Sequence, residues 1–161
     1  MDDTVRAAQR GDPLAMNQLL RELGPVVGPI CGAIALDQGD DAMQETMIAV
    51  VRNLKSLREP AAVNGWARRI ATREAVRVAK RRAAVPPVEV VDLPTPDRAQ
   101  DAVAVRDMLD RLLPEQRAIL VLRDVTGMSE AEAAAALSVA RGTVKSRLHR
   151  ARAAFRKGWE T

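Results

Sequence analysis

Aromatic residues are almost missing from this sequence: its 161 residues include two Trp, one Phe and no Tyr. Aromatic side chains favour strands, whereas the abundant residues here are Ala, Leu, Val and Arg. We therefore expect an all-α protein. The length allows one ordinary domain or two small ones.

Cysteine and histidine are equally scarce, with one residue of each. Cys31 cannot form an internal disulfide and has no metal-ligand cluster near it, which favours a reducing cytoplasmic location and a buried packing role. No metal or other cofactor is expected. No glycine-rich phosphate loop or nucleophile-base pair is present, so the sequence gives no support to an enzyme.

Membrane and secretion signals are also absent from the sequence pattern. No apolar run approaches the length that spans a bilayer, and Asp2 and Asp3 do not fit the charged-then-apolar start of a signal peptide. We expect a cytoplasmic protein without membrane insertion.

Positive charge is unevenly distributed along the chain, whose formal net charge is +4. Residues 1–60 hold more acidic than basic groups, whereas Arg68 to Arg82 and Arg141 to Lys157 are strongly basic. Two separate basic segments of helical length predict two separate contacts with nucleic acid.

A helix-turn-helix is predicted near the C-terminus. Ser129 and Glu132 have the spacing of a capping box, so a helix should start there. That helix should end at the break formed by residues 138–140, and a second helix should begin at Arg141. The second helix has an apolar stripe that should face the core, formed by Val144, Leu148, Ala151 and Phe155.

The other faces of this second helix are cationic and contain no acidic residue. A solvated basic surface is the simplest interpretation of such a charge run. A capped partner helix, a short break and a basic second helix in this order are, however, typical of a unit that places a recognition helix in the DNA major groove. The cations are Arg141, Lys145, Arg147, Arg150, Arg152, Arg156 and Lys157.

The rest of the chain divides around a proline-rich segment. Residues 83–98 contain four prolines and no helical period, which predicts an extended linker. Residues 1–82 and 99–161 then form two small helical domains. In the first domain, a helix should end at Gly24-Pro25, and a kink or a new helix should occur near Pro29. The helix that follows should bury one side, formed by Met43, Met47, Val51 and Leu54.

A second basic helix begins near Trp66. Trp66, Ile70 and Ala71 should face inward, and arginines fill most of the remaining surface. Such a helix could lie on a phosphate backbone, although arginine is also simply a good helix former.

Several segments together resemble the small bacterial sigma factors of the extracytoplasmic-function (ECF) group. The most specific are LLPEQRAILVLRDVTGMS and GTVKSRLHRARAAFR; RAAQRGDPLAMNQLL, DDAMQETM and NGWARRIA are weaker. The resemblance implies a sigma-2-like helical bundle in residues 1–82 and a sigma-4-like helix-turn-helix domain in residues 99–161. It also implies a protein that binds core RNA polymerase and directs promoter-specific initiation, without catalytic activity of its own.

The resemblance assigns three groups of site residues. The group that docks on the clamp helices of core polymerase comprises Asp41, Gln44 and Glu45. The group that opens and captures the minus 10 DNA comprises Arg58, Asn64, Trp66, Arg68, Arg69, Arg73 and Arg77. The group that reads the minus 35 DNA comprises Arg141, Gly142, Thr143, Lys145, Ser146, Arg147 and Arg150. The polymerase flap and an anti-sigma factor are further implied partners, and Ser138 stands where the family usually has a turn glycine.

A stand-alone helix-turn-helix regulator is the alternative. Such regulators usually dimerise on a palindromic site. This chain has no long heptad pattern after Phe155, and its division into two domains favours the sigma-factor interpretation.

Overall fold

The computed structural model describes residues 1–84 and 100–160, so most of the predicted linker lies outside the described residues. The described parts are helical and contain no strand, and the predicted all-α fold class is confirmed. In the N-terminal half the helices are α1 (Asp2–Gln9), α2 (Pro13–Ala35), α3 (Gly39–Asn53) and α4 (Val63–Ala83), with short 3₁₀ segments at Leu36–Gln38, Leu54–Ser56 and Pro60–Ala62.

The C-terminal half begins with α5 (Gln100–Asp110) and α6 (Pro114–Leu120). A single π-helical turn, Val121–Val125, continues α6. The helix-turn-helix follows as α7 (Glu130–Leu137) and α8 (Arg141–Trp159). These boundaries place α8 at the position predicted for the recognition helix.

Helix α2 does not break at its prolines, so the predicted interruption at Gly24-Pro25 is wrong. It runs unbroken with Pro25 and Pro29 inside it, and the Asp12 carboxylate caps its start by accepting from the Leu14 and Ala15 amides at 2.9 and 3.2 Å. Each internal proline removes a helical hydrogen bond. A continuous buried stripe against α3 and α4 offsets that loss, and its members are Leu19, Leu23, Val27, Ile30 and Ile34.

The expectation that no apolar run approaches membrane-spanning length is also wrong. The helical stretch Pro13–Ser56 is long and apolar enough, by length and composition, to cross a bilayer. In the fold, this apolarity serves packing between helices, since α2 contacts α1, α3 and α4.

The buried face of α3 is shifted by one residue from the predicted one. Ala42, Thr46 and Val50 are buried, whereas Val51 is 45% exposed; Met43 and Met47 are only half-buried. A polar residue fits this core because the Thr46 hydroxyl donates to the Ala42 carbonyl oxygen at 2.7 Å. It also lies 3.5 Å from the Cys31 thiol, whose pKa is raised chiefly by burial.

Helix α4 is buried on two sides. The predicted inward stripe is present, with Ile70 and Ala71 buried and Trp66 half-buried. Thr72 and Ala79 are also buried, although they lie well outside that stripe at about 100° per residue. This second side faces the C-terminal half, since α4 contacts α6 and α7 as well as α2 and α3.

The helix-turn-helix has the predicted capping and turn. The Ser129 hydroxyl accepts from the Glu132 amide at 3.1 Å, and the Glu132 carboxylate accepts from the Ser129 amide at 2.7 Å. That backbone bond is the main reason why the pKa of Glu132 lies below its ordinary value. Ser138 ends α7 in the left-handed conformation, with φ +55° and ψ +45°.

Replacing Ser138 with glycine is expected to stabilise the protein. A side chain in this conformation destabilises the folded state by roughly 1–2 kcal/mol. Glycine avoids that strain but gains freedom in the unfolded chain, which lowers the free energy of unfolding by about 0.5–1 kcal/mol. The free energy of unfolding in urea should therefore rise by up to about 1.5 kcal/mol. The matched control is Ser146→Gly within α8, where we expect a decrease of about 0.5–1 kcal/mol; equal losses in both variants would contradict the prediction.

Candidate nucleic-acid interface

Helix α8 is held against the C-terminal core by one stripe and exposes its remaining faces. Val144, Leu148 and Ala151 are buried, and Phe155 is half-buried. At about 100° per residue, Gly142, Ser146, His149 and Ala153 lie along the line opposite the buried stripe. Most side chains on that line are small, so DNA could approach the helix closely there.

The predicted minus 35 residues differ in exposure. Arg141, Gly142, Lys145, Ser146 and Arg150 are exposed, whereas Thr143 and Arg147 are half-buried. Glu130 of α7 lies 4.0 Å from the Arg141 guanidinium and 3.9 Å from the Lys145 ammonium. These contacts are long and the two cationic side chains are largely exposed, so both remain available to phosphates or base edges.

Arg152 occupies a different position from the other cations of α8. Its Nε and Nη2 atoms donate to the two carboxylate oxygens of Asp124 at 3.0 and 2.5 Å. The bond lowers the pKa of Asp124 and raises the pKa of Arg152. This fork joins α8 to the π-helical turn and occupies the Arg152 guanidinium.

Arg147 points towards the N-terminal half. It lines a cleft with Arg73, Val76 and Lys80 of α4 and with Glu115 of α6. The pKa of Glu115 is lowered, chiefly by the hydrogen bond from Lys80 and to a smaller extent by the charge of Arg147. The structure thus separates Arg147 from the exposed cations of its own helix, which spacing alone did not predict.

The predicted minus 10 residues fall into separate groups. Trp66, Arg69, Arg73 and Arg77 follow spacings of three, four and four, so they share one side of α4. Asn64 and Arg68 are exposed on the opposite side, and Arg58 is exposed in the loop before Pro60–Ala62. Trp66 is the only half-buried member of the seven, so its indole ring has both a packed part and an accessible part.

The predicted polymerase-docking residues lie together on α3. Asp41 and Gln44 are exposed, and Glu45 is partly exposed. The Glu45 carboxylate contacts Arg77 at 3.3 Å and Arg81 at 3.8 Å. Glu74 also pairs with Arg77. The acidic face of α3 and the basic face of α4 are therefore neighbours that share an ion-pair network.

Arg117 is a buried residue that the sequence reasoning did not single out. The residue is 5% exposed, and its guanidinium donates to the carbonyl oxygens of Ile34, Leu109 and Leu112 at 2.6, 2.9 and 3.4 Å. The available signal was its position directly before the apolar run from Ala118 to Leu122, since an arginine buried with that run requires several hydrogen-bond partners. Within residues 1–84 and 100–160, no cluster of His, Cys, Asp or Glu could hold a metal ion.

Two family descriptions match this chain. Residues 34–85 match "Sigma-70 region 2" and residues 102–155 match "Sigma-70, region 4". The first segment contains α3 and α4, and the second contains the helix-turn-helix. Helix α4 therefore falls wholly within a matched segment, and α8 does so from Arg141 to Phe155.

Similar proteins of known family cover most of the chain. The ECF RNA polymerase sigma factor SigM of Mycobacterium tuberculosis is 41% identical over 157 residues, which are 94% of this chain and 80% of SigM. The ECF RNA polymerase sigma factor SigE of Mycolicibacterium smegmatis is 32% identical over 91% of this chain and 63% of its own length.

Two solved structures share the fold at 23% identity. CnrH in complex with the cytosolic domain of CnrY gives a TM-score of 0.69 over 99% of this chain and 96% of that chain. The sigma factor RpoE in complex with the anti-sigma factor NepR from Bartonella quintana gives a TM-score of 0.71 over 90% of this chain and 96% of that chain. These two structures share the fold of the chain, and the sequence relatives show that it belongs to the ECF RNA polymerase sigma factors.

Proposed function

We propose that this chain is a dissociable specificity factor, without a catalytic site, that binds core RNA polymerase in the cytoplasm and selects promoters with two basic helices. The supporting observation is that α4 and α8 each carry exposed cations over a packed apolar stripe, one in each matched family segment. Residues 1–82 and 99–161 would act as the two promoter-reading domains, and residues 83–98 as the linker between them.

The C-terminal domain would read the minus 35 element with α8. Arginine and lysine can donate to guanine O6 and N7, and short hydroxyl side chains add contacts to bases or phosphates. The small residues opposite the buried stripe would allow the flanking cations to reach base edges. The proposed contacts are Arg141, Gly142, Thr143, Lys145, Ser146, Arg147 and Arg150.

The N-terminal domain would open and hold the minus 10 element. A basic groove that tracks the backbone, combined with an aromatic side chain on which a base stacks, is the usual arrangement for binding unpaired strands. Trp66 with Arg69, Arg73 and Arg77 provides this combination on one side of α4, and Arg58, Asn64 and Arg68 would extend the contact.

The polar face of α3 would dock on the polymerase clamp helices through Asp41, Gln44 and Glu45, and the C-terminal domain would contact the flap. An anti-sigma factor is a further proposed partner, since RpoE of Bartonella quintana was solved with one.

In a pull-down with core polymerase, a triple alanine variant of the α3 residues should lose binding, while an α8 variant should retain it.

Run-off transcription tests the proposed function directly. Core RNA polymerase is mixed with the purified chain and a template that carries the native upstream region. A discrete transcript that depends on the chain is expected. If core polymerase stays silent while the chain alone protects a palindromic site as a dimer, the regulator interpretation replaces this one.

Replacing Trp66 with alanine is expected to weaken binding of a single-stranded minus 10 oligonucleotide to the polymerase complex. Stacking of one base on an aromatic ring contributes about 1–3 kcal/mol, so the dissociation constant should rise by roughly 5- to 150-fold. The matched control is Trp159→Ala, which removes the other, 60% exposed tryptophan at the end of α8. Equal effects of the two substitutions would argue against stacking on Trp66.

A further inference from the structure

The loop between α3 and α4 is anchored at every third residue, and the residues between the anchors are exposed. Its two 3₁₀ segments place residues three apart on the same side. The loop therefore has a buried edge and an exposed edge, and the exposed edge carries Arg58 of the proposed minus 10 contacts. The anchors are Leu54, Leu57, Pro60 and Val63.

Gln9, the last residue of α1, binds this loop through its side chain. Its Nε2 atom donates to the carbonyl oxygen of Leu54 at 3.0 Å and to that of Leu57 at 2.7 Å. A glutamine amide has two N–H donors, so both are used on the loop. Helix α1 also packs against the Pro60–Ala62 segment. Gln9 therefore ties the loop to a helix near the start of the chain.

The position of Gln9 is itself fixed by the junction between α1 and α2. Val5 and Ala8 are buried on α1, and the Asp12 amide donates to the Ala7 carbonyl oxygen at 3.1 Å across the junction. The Asp12 carboxylate also caps α2. Gln9, which is partly buried, thus bonds the loop from a packed element.

The bond to Leu57 sets the orientation of the peptide group that follows it. In a trans peptide the carbonyl oxygen and the next N–H point in opposite directions. Because the Leu57 carbonyl points at Gln9, the Arg58 N–H points away from Gln9. No acceptor among residues 1–84 and 100–160 binds this N–H. Arg58 is exposed, so it can present both a backbone donor and its guanidinium.

Hydrogen bonding from this loop matters because base stacking is limited. The strand-capturing face of α4, formed by Trp66, Arg69, Arg73 and Arg77, offers one aromatic side chain. Stacking accepts any base, whereas donors at a fixed position distinguish one base edge from another. A loop of fixed shape directly before α4 would supply a sequence preference that stacking on Trp66 lacks.

We propose that Gln9 is a positioning residue for minus 10 recognition: by holding the Leu54 and Leu57 carbonyls, it sets the direction in which Arg58 presents its donors to the unpaired strand. Base edges and phosphates carry the matching acceptors. This inference rests on the proposed function, because Arg58 is a proposed minus 10 contact. Gln9 itself lies outside the segment that matches sigma-70 region 2, which begins at residue 34.

The first measurement is hydrogen exchange of residues 54–62 in the free full-length chain, followed by mass spectrometry. Gln9→Leu removes both donors at similar volume. The matched control is Gln18→Leu, since Gln18 Nε2 donates to Glu22 at 3.0 Å at an exposed site on α2. Exchange of the loop should quicken by about fivefold in Gln9→Leu, the effect of one ordinary hydrogen bond, and stay unchanged in the control.

The second measurement is base preference, with core polymerase present. Single-stranded oligonucleotides carry the native minus 10 segment or one of its single-base variants, and the preference at a position is the ratio of their dissociation constants. Gln9→Leu should lower this ratio by about fivefold at the position that Arg58 contacts, whereas Gln18→Leu should retain it. Gln9→Lys, which again supplies donors, should restore most of the preference, because its added charge affects all oligonucleotides alike.

Unchanged loop exchange in Gln9→Leu, or an equal loss of affinity for every oligonucleotide, would overturn the positioning role. If Gln9→Leu does not fold, Gln9→Glu carries the test, because an ionised carboxylate of the same length has no donor. Failure of run-off transcription with the parent chain would instead reject the proposed function. The exchange measurement needs neither polymerase nor promoter, so it would still report whether Gln9 holds the loop.

Discussion

Replacing Lys145 and Arg150 together with alanine is expected to weaken binding of minus 35 DNA by roughly 2–6 kcal/mol, since a good contact to a base edge contributes about 1–3 kcal/mol. Both residues are exposed on α8. Promoter affinity is measured by anisotropy, with polymerase present, at several salt concentrations. If either residue contacts phosphate instead, the loss should be uniform across sequences and the salt slope should fall by about one per contact.

Arg152→Ala is the matched control, because it removes an arginine from the same helix. The fork to Asp124 already occupies its guanidinium, so promoter affinity should change far less than in the double variant. An equal loss in the control would indicate that general positive charge on α8, rather than particular side chains, binds the DNA.

Replacing Leu19 with alanine is expected to reduce the free energy of unfolding of the N-terminal half by about 2–5 kcal/mol, the usual cost of truncating a fully buried leucine. Leu19 is 0% exposed at the centre of the α2 stripe. The measurement is urea unfolding followed by circular dichroism, and polymerase binding should be lost as the variant unfolds.

Leu14→Ala, in the same helix, provides the control, because Leu14 is 77% exposed. Its substitution should change stability by no more than about 0.5 kcal/mol. If the two substitutions reduced the free energy of unfolding equally, the buried stripe of α2 would not be what holds this helix in the core.

Features encoded by neighbouring residues could be predicted from the sequence. The capping box of Ser129 and Glu132 and the break at Ser138 depend on side chains within a few positions of each other, and the structure contains both. The stripe on α8 was predicted for the same reason, because helical spacing determines which side of one helix is apolar.

Features that depend on distant contacts could not be predicted in this way. The prolines of α2 signal a break locally, yet packing of the helix on both sides of them overrides that signal. Thr46 is a core residue because its hydroxyl bonds within its own helix, whereas helical spacing favoured Met43 and Met47. Helix α4 has a second buried side because α6 and α7 pack against it. Arg147 lies beside α4, away from the exposed cations of α8, because the two halves are in contact.

The structure shows where the predicted site residues lie, and the roles assigned to them stay predictions. Most acidic residues of α3 and most cations of α4 and α8 are exposed, whereas Glu45 and Arg147 are half-buried. Which cation is available to DNA depends on its neighbours: Arg152 is held by Asp124, whereas Lys145 has only a long contact to Glu130. These acidic partners come from other elements, so inspection of the acid-free helix could not reveal them.

The ion pair between Glu45 and Arg77 links polymerase docking to DNA capture in thermodynamic terms. One carboxylate belongs to the proposed docking face and its partner belongs to the proposed strand-capturing face. A partner that engages Glu45 leaves Arg77 less neutralised and therefore more attractive to phosphate, and linkage requires the effect to be reciprocal. Exposed pairs contribute at most about 1 kcal/mol, so this link changes affinity by no more than about fivefold and adjusts the order of binding without enforcing it.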